Sequence, residues 1–200
     1  MDRLTFRHAL AKRIGQTLTP ALCAAIEVEA SEPPDRSIPL EQFAPAPVGG
    51  GYILAVERFA AVLDELHPLH VDHFGETEMH RHGLALKPDY DAMAADDRAG
   101  RLLQFTVRKD GSLVGGLRMY VLPSRHTGGL LASEDTLYIA PAHRGGLLGL
   151  KLLRYAEECL KRLGVDSIEA NSKLANSADV LMKRMRYTPV ATQFYKILKE

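Results

Sequence analysis

The sequence predicts an α+β (mixed α/β) fold with a mostly antiparallel central sheet flanked by helices, and its clearest signals lie in the second half. Leu103, Phe105 and Val107 alternate with Gln104, Thr106 and Arg108, Asp110-Gly111 supplies a tight turn, and LVGGLRMYV returns antiparallel as a hairpin. Residues 147–163 place Leu148, Leu152, Ala156, Cys159, Leu160 and Leu163 on one stripe, with Arg154, Glu157, Glu158, Lys161 and Arg162 opposite. Gly164 then stops a helix built to lie on a sheet.

The other elements follow in order. Residues 1–30 hold two short helical patterns, the second opened by Thr19-Pro20 as N-cap and first turn. Residues 31–51 contain Pro33, Pro34, Pro39, Pro45 and Pro47 and end in Gly49-Gly50-Gly51, a composition that breaks both helix and ladder. Residues 1–50 are therefore expected to form a helical arm and linker, and 51–200 the main domain. From Tyr52, YILAVERF reads as a strand, and Phe59 to His73 as an apolar-periodic helix that Pro68 kinks or ends. A shorter helix is predicted near 89–98, a strand from Leu130 to Ile139 stopping at Pro141, a strand near 166–172 and a helix near 177–186. A last strand is predicted over 188–198, where Val190, Thr192 and Phe194 alternate with other residues.

Composition narrows the function. With 200 residues, 46% of them hydrophobic and 25% charged, the chain can fill a core, which excludes disordered and collagen-like classes. Lys+Arg 25 against Asp+Glu 25 leaves no net field to draw it to nucleic acid or to an anionic membrane. Cys23 and Cys159 imply no disulfide framework, and the charged start is not a secretory leader. A cytoplasmic setting is expected.

The chemistry concentrates in Leu137-Tyr138-Ile139-Ala140-Pro141-Ala142-His143-Arg144-Gly145-Gly146-Leu147-Leu148-Gly149. A strand that ends at Pro and enters a helix through Arg and clustered Gly exposes unpaired N–H groups, with the positive end of the helix dipole behind them. Such a loop binds anions. Gly145, Gly146 and Gly149 let a diphosphate approach the main chain, and Arg144 can add a charge-assisted contact. A glycine-eased turn before an ordinary helix reads equally from the glycines alone. Neither G-K-[ST] nor G-x-G-x-x-G occurs, so nucleoside-triphosphate and dinucleotide loops are rejected.

Residues 52–198 resemble the Gcn5-related N-acetyltransferase (GNAT) family, whose signature is a strand, Arg/Gln-x-x-Gly-x-Gly/Ala and a long helix. Arg144 and Gly149 stand at its ends, with the middle glycine one step early at Gly146 and Leu147 in its place. Together with HPLHVDHFGETE, KPDY, DGSLVG and FYKIL, this resembles a subgroup encoded by tailed phages and prophages, for which the setting would be the host cytoplasm. The resemblance implies the acyl-CoA N-acyltransferase fold, its sheet splayed at the cofactor site. It implies acetyl-CoA on Arg144, Gly145, Gly146, Leu147, Leu148 and Gly149, its pantetheine paired with the main chain of Leu137, Tyr138 and Ile139, and a contact from Asn176, which serves equally as a helix N-cap. Asp135 falls where family members often carry a general base, with Glu134 beside it as the alternative. A carboxylate suits that task, because an amine is mostly ammonium at neutral pH and must lose a proton before it attacks a thioester.

One departure is visible. The family's usual Tyr proton donor falls on Met182, and its later Gly on Arg186. Methionine cannot donate a proton. Tyr187, Tyr195 or water would then substitute, or catalysis would be weak or absent.

His67, His70, His73, His80 and His82 cluster with Asp72, Glu76 and Glu78. Three readings remain open: a metal site, a solvated helix end, and an acceptor pocket in which His70, His73, Glu76 and Glu78 favour a cationic amine, His serving as a further proton acceptor. No H-E-x-x-H occurs and no metal is expected. The leading expectation is an acetyl-CoA-dependent N-acetyltransferase acting on an amine by direct attack on the thioester. Its rival is a non-catalytic module of the same fold, phage-associated, that docks on a partner through residues 1–50. The arm and the last strand are where a second copy would exchange or pair.

Overall fold

The hairpin read from alternation becomes the middle of a six-stranded sheet ordered β1-β2-β3-β4-β5-β6. Its strands are β1 (Ala46–Gly49), β2 (Tyr52–Glu57), β3 (Leu102–Lys109), β4 (Ser112–Pro123), β5 (Leu130–Ile139) and β6 (Val165–Glu169). The computed structural model describes residues 3–31, 36–78, 85–172, 178–194 and 196–198. Helices α1 (Arg3–Ala11) and α2 (Pro20–Ser31) precede the sheet, and α3 (Phe59–His73) and α4 (Tyr90–Arg98) fall between β2 and β3. Helix α5 (Leu148–Arg162) joins β5 to β6, and α6 (Ala178–Arg184) follows. Every neighbouring pair is antiparallel except β5 and β6, which run parallel because α5 carries the chain back across the sheet.

Period-two alternation divides the sheet into two faces. Leu103, Phe105 and Val107 of β3, Leu117, Met119 and Val121 of β4 and Ala132 of β5 are buried with Leu152, Leu153, Ala156 and Leu160 of α5. Each of the Val, Leu, Phe and Met side chains among them contributes about 1.5–3 kcal/mol by leaving water. On the opposite face Phe59, Val62 and Leu66 of α3 bury Leu102 with help from Met93 and Ala94 of α4. Helices α1 and α2 pack on each other through Ala9 and Ile26, with Phe6 and Leu22 around them.

Two expectations need correction, and a third is narrowed. Residues 46–49 do form a ladder: β1 pairs with β2 from Ala46↔Leu54 to Gly49↔Tyr52, with an irregularity between Pro47 and Gly49. Pro47 is tolerated because β1 is an edge strand. Helix α3 runs from Phe59 to His73 over the expected range, so of the two alternatives at Pro68, a kink or an end, the end is ruled out. A proline deletes one helical hydrogen bond, and the burial of Phe59, Val62, Leu66 and His70 along the same helix outweighs that loss. Finally, among the described residues no strand lies within 188–198. Val190 and Phe194 stand 86% and 91% exposed, so the alternation there has no partner strand to make a ladder with.

The start of α3 shows a device invisible in its own sequence. Its N-cap, Arg58, offers no side-chain acceptor. Asp97 of α4, itself buried, supplies one: Oδ2 accepts from Phe59 N at 2.9 Å and Oδ1 from Arg58 Nη1 at 3.0 Å. Thus α4 clamps the helix that forms one wall of the site.

Candidate active site

The sheet opens where β5 and β6 part. Their parallel ladder runs from Leu130↔Val165 to Ser133↔Glu169 and ends there, and among the described residues no strand pairs with the rest of β5 on that side. At the point of divergence Asn171 N donates to Glu134 Oε2 at 3.0 Å. Beyond it, Ala140 N donates to Val114 O of β4, so across the planar peptide the Ile139 carbonyl points the other way, into the opening. Alternation turns the main chain of Leu137 the same way and that of Tyr138 towards β4.

The strand then enters α5 through a 3-10 turn, Pro141–His143. Gly145 and Gly146 take φ of +91° and +78°, a conformation that L side chains strain to adopt. Leu147, the N-cap, provides no capping side chain. Among the described residues the first amide to find a backbone acceptor after Arg144 N is Lys151 N, on Leu147 O. Among the described residues the amides from Gly145 through Leu150 meet no acceptor, at the positive end of a 15-residue helix. Amides so placed at a helix start are suited to an anion.

Arg144 behaves differently from the expectation that it faces the same anion. Its Nε donates to the Ile139 carbonyl at 2.6 Å, and Nη1 and Nη2 grip Glu76 at 2.8 and 2.6 Å. The guanidinium lies 5.0 Å from the centre of the Tyr138 ring. Glu76 is thereby taken from the pocket expected to receive the acceptor, for the cleft that His70, His73 and Glu78 line does not include it.

That pocket is a cleft of about 360 Å³. Helix α3 gives His70 and His73, the π-helical turn Phe74–Glu78 gives Glu78, β4 gives Arg118, and β5 gives Glu134, Asp135 and Thr136. Asn171 and Gln193 close the far side. Asp135 is brought here by a β-bulge. Arg118 pairs with Thr136 and Met119 with Glu134, so Asp135 is the extra residue and shares a face with Thr136. Both of the proposed carboxylates therefore reach the cleft, but Asp135 Oδ2 already accepts from Arg118 Nε at 2.7 Å and from Thr136 Oγ1 at 3.0 Å.

His70 is not placed to take up a proton. Arg118 Nη1 lies 3.2 Å from its Nε2, and an arginine can only donate, so that lone pair is engaged. Burial first, and then the Arg118 charge, lower its pKa to about 4. His73 contacts Thr77 Oγ1 through Nε2 at 3.1 Å and sits edge-on to Tyr138. His67 meets Tyr90 edge-on. Among the described residues no three metal-ligating side chains converge.

Tyr187 does not reach the cleft. It packs against the core beneath α5, its hydroxyl buried beside Glu157 without a well-formed hydrogen bond, and burial raises its pKa. Met182 is core as well. Arg186, at the family's glycine position, has φ of 64°, which explains in backbone terms why glycine is favoured there. Asn176, Tyr195, His80 and His82 lie outside the described residues. The sequence reading passed over Arg118, Thr136, Asn171 and Gln193. Only Arg118 carried a signal, as a charge in the middle of an apolar strand, where a buried arginine must be paired.

A sheet with helices on both faces, opened between β5 and β6 beside a bare helix start, is the acyl-CoA N-acyltransferase fold. Residues 61–182 match the Acetyltransferase (GNAT) family, and the chain belongs to it. No curated protein matches the sequence. Among solved structures it is similar to a ribosomal-protein-alanine N-acetyltransferase from Brucella melitensis biovar Abortus 2308, at 19% identity and TM-score 0.55, over 72% of this chain and 97% of that one. An aminoglycoside acetyltransferase from an uncultured soil metagenomic sample, solved with sisomicin, aligns at 17% identity and TM-score 0.58, over 74% and 97%. A predicted acetyltransferase from Clostridium acetobutylicum, solved with acetyl-CoA, aligns at 11% identity and TM-score 0.57, over 74% and 96%. Among the described residues no helix is long and apolar enough to cross a membrane.

Proposed function

We propose that this chain is an acetyl-CoA-dependent N-acetyltransferase that acetylates a cationic amine by direct attack on the thioester. The observation that carries the reading is the bare run of amides from Gly145 through Leu150 beside the open edge of β5. The amides hold the diphosphate, while the main chain of Leu137 is free to pair with the pantetheine arm. The acetyl-CoA bound by the Clostridium neighbour and the aminoglycoside bound by the metagenomic one support this donor and this acceptor class.

Glu134 takes the amine's proton: it lines the cleft at the point where β5 and β6 part, beside the open edge of β5, with its Oε2 held in place by Asn171 N. The freed amine nitrogen attacks the thioester carbon, the C–N bond forms as the C–S bond breaks, and the second proton that the nitrogen sheds passes through water to the departing thiolate. No tyrosine donor is required, since a thiol is acidic enough to leave as its anion.

Isothermal titration tests the donor site: acetyl-CoA and CoA are expected to bind at micromolar concentrations, and no heat at millimolar ligand refutes the reading. With a panel of primary amines, Glu134→Gln is expected to lower kcat by about 10²–10⁴-fold. A larger loss in Asp135→Asn than in Glu134→Gln would reassign the base.

A further inference from the structure

Arg118 sits in the middle of β4, level with Gln104 on β3 and Thr136 on β5. It is 5% exposed, and its guanidinium lies 5.6 Å from the centre of the Phe59 ring. A guanidinium keeps its charge and only donates, so whatever surrounds it must accept. Nε and Nη2 both lie 2.7 Å from Oδ2 of Asp135, Nη2 reaches Thr136 Oγ1 at 3.1 Å, and Nη1 reaches His70 Nε2 at 3.2 Å. The last contact decides the tautomer. With its lone pair on Nε2, His70 carries its proton on Nδ1, facing the Tyr90 hydroxyl at 3.2 Å.

We propose that Arg118 is the positioning residue of the acceptor wall: it holds the Asp135 carboxylate in one orientation to receive the acceptor's charged group, and ties His70 into a neutral link between β4 and α4. This rests on the N-acetyltransferase reading. The β-bulge at Asp135 makes the arrangement possible, since it brings two consecutive side chains of β5 to the same guanidinium. Asp135 thus meets the acceptor as an anchored carboxylate, through Oδ1, while proton transfer is left to Glu134.

The groups facing His70 are Arg118 from β4, Asp135 from β5, Tyr90 from α4, and His67 and His73 on its own helix. The imidazole resonances of the full chain, followed by ¹⁵N NMR, read its state directly. His70 is expected to remain neutral with its proton on Nδ1 from pH 8 down to 5, and Arg118→Met to bring its titration towards the ordinary value of about 6.5. A His70 that titrates near that value in the unaltered chain, or is protonated on Nε2, overturns the proposal whatever the activity. Arg118→Gln, which removes the charge and keeps a polar side chain of similar reach, is expected to raise the His70 titration in the same direction and serves if Arg118→Met does not fold. In transfer assays with a panel of primary amines, Arg118→Lys is expected to raise the acceptor KM by about tenfold and to leave kcat within about threefold. A fall in kcat at unchanged KM counts against positioning. If the unaltered chain transfers acetyl to no amine, the functional reading fails and the His70 titration alone decides the part played by Arg118.

Discussion

Helices α3 and α5 are each 15 residues long, and neither begins with a residue that caps it. The fold treats the two starts in opposite ways. At α3 the carboxylate of Asp97 is brought from another helix to satisfy the first amide and the Arg58 guanidinium together. At α5 nothing in the described chain approaches, and the glycines before it keep side chains out of the space. Bare amides at a helix start are costly unless water or a ligand completes them. The contrast therefore separates a terminus finished by the protein from one left for a guest.

Breaking the first terminus has the largest expected effect. Asp97→Ala strips the cap and leaves Arg58 with its bond to the Ile38 carbonyl alone, and should cost about 1–3 kcal/mol in urea unfolding. A loss below about 0.5 kcal/mol would mean that the clamp is not what holds α3. Finishing the second terminus sharpens the comparison from the other side. Leu147→Asp offers α5 a carboxylate of its own, and should weaken CoA binding by about tenfold while adding about 0.5–1 kcal/mol of stability. Unchanged CoA affinity would show that the bare amides are not the anion site. The smallest effect belongs to a helix end rather than a start. Tyr187 N returns to Met182 O across Arg186, whose left-handed backbone an L residue adopts at a cost. Arg186→Gly should raise stability by about 1 kcal/mol, and a thermal midpoint that falls instead would show that the Arg186 side chain compensates its own strain.

How much of this could be read from the sequence follows the reach of each interaction. The hairpin, α5 and its glycine entry are written in neighbours a few residues apart, where periodicity and turn chemistry act, and their bounds came within a residue or two. The bare amides belong to this class, because the proline, the glycines and the uncapped leucine are contiguous. Asp97, Arg118 and the pairing of Arg144 with Glu76 depend on groups brought together from distant segments, and no local pattern encodes them. The bulge is a middle case: Glu134 and Asp135 are adjacent in the chain, but only the register against Arg118 and Met119 shows which of them is supernumerary. The strand expected over 188–198 failed for the complementary reason. Alternation states which face a strand would bury, without supplying a neighbour to bury it against.

That bulge has a consequence for how such a site arises. On either side of Asp135 the β4–β5 ladder is regular, with Thr136 opposite Arg118 and Glu134 opposite Met119. Excising that single codon would leave both stretches in step and take away only the carboxylate. Conversely, one inserted codon is enough to graft an acid onto a finished sheet without repacking the core beneath it.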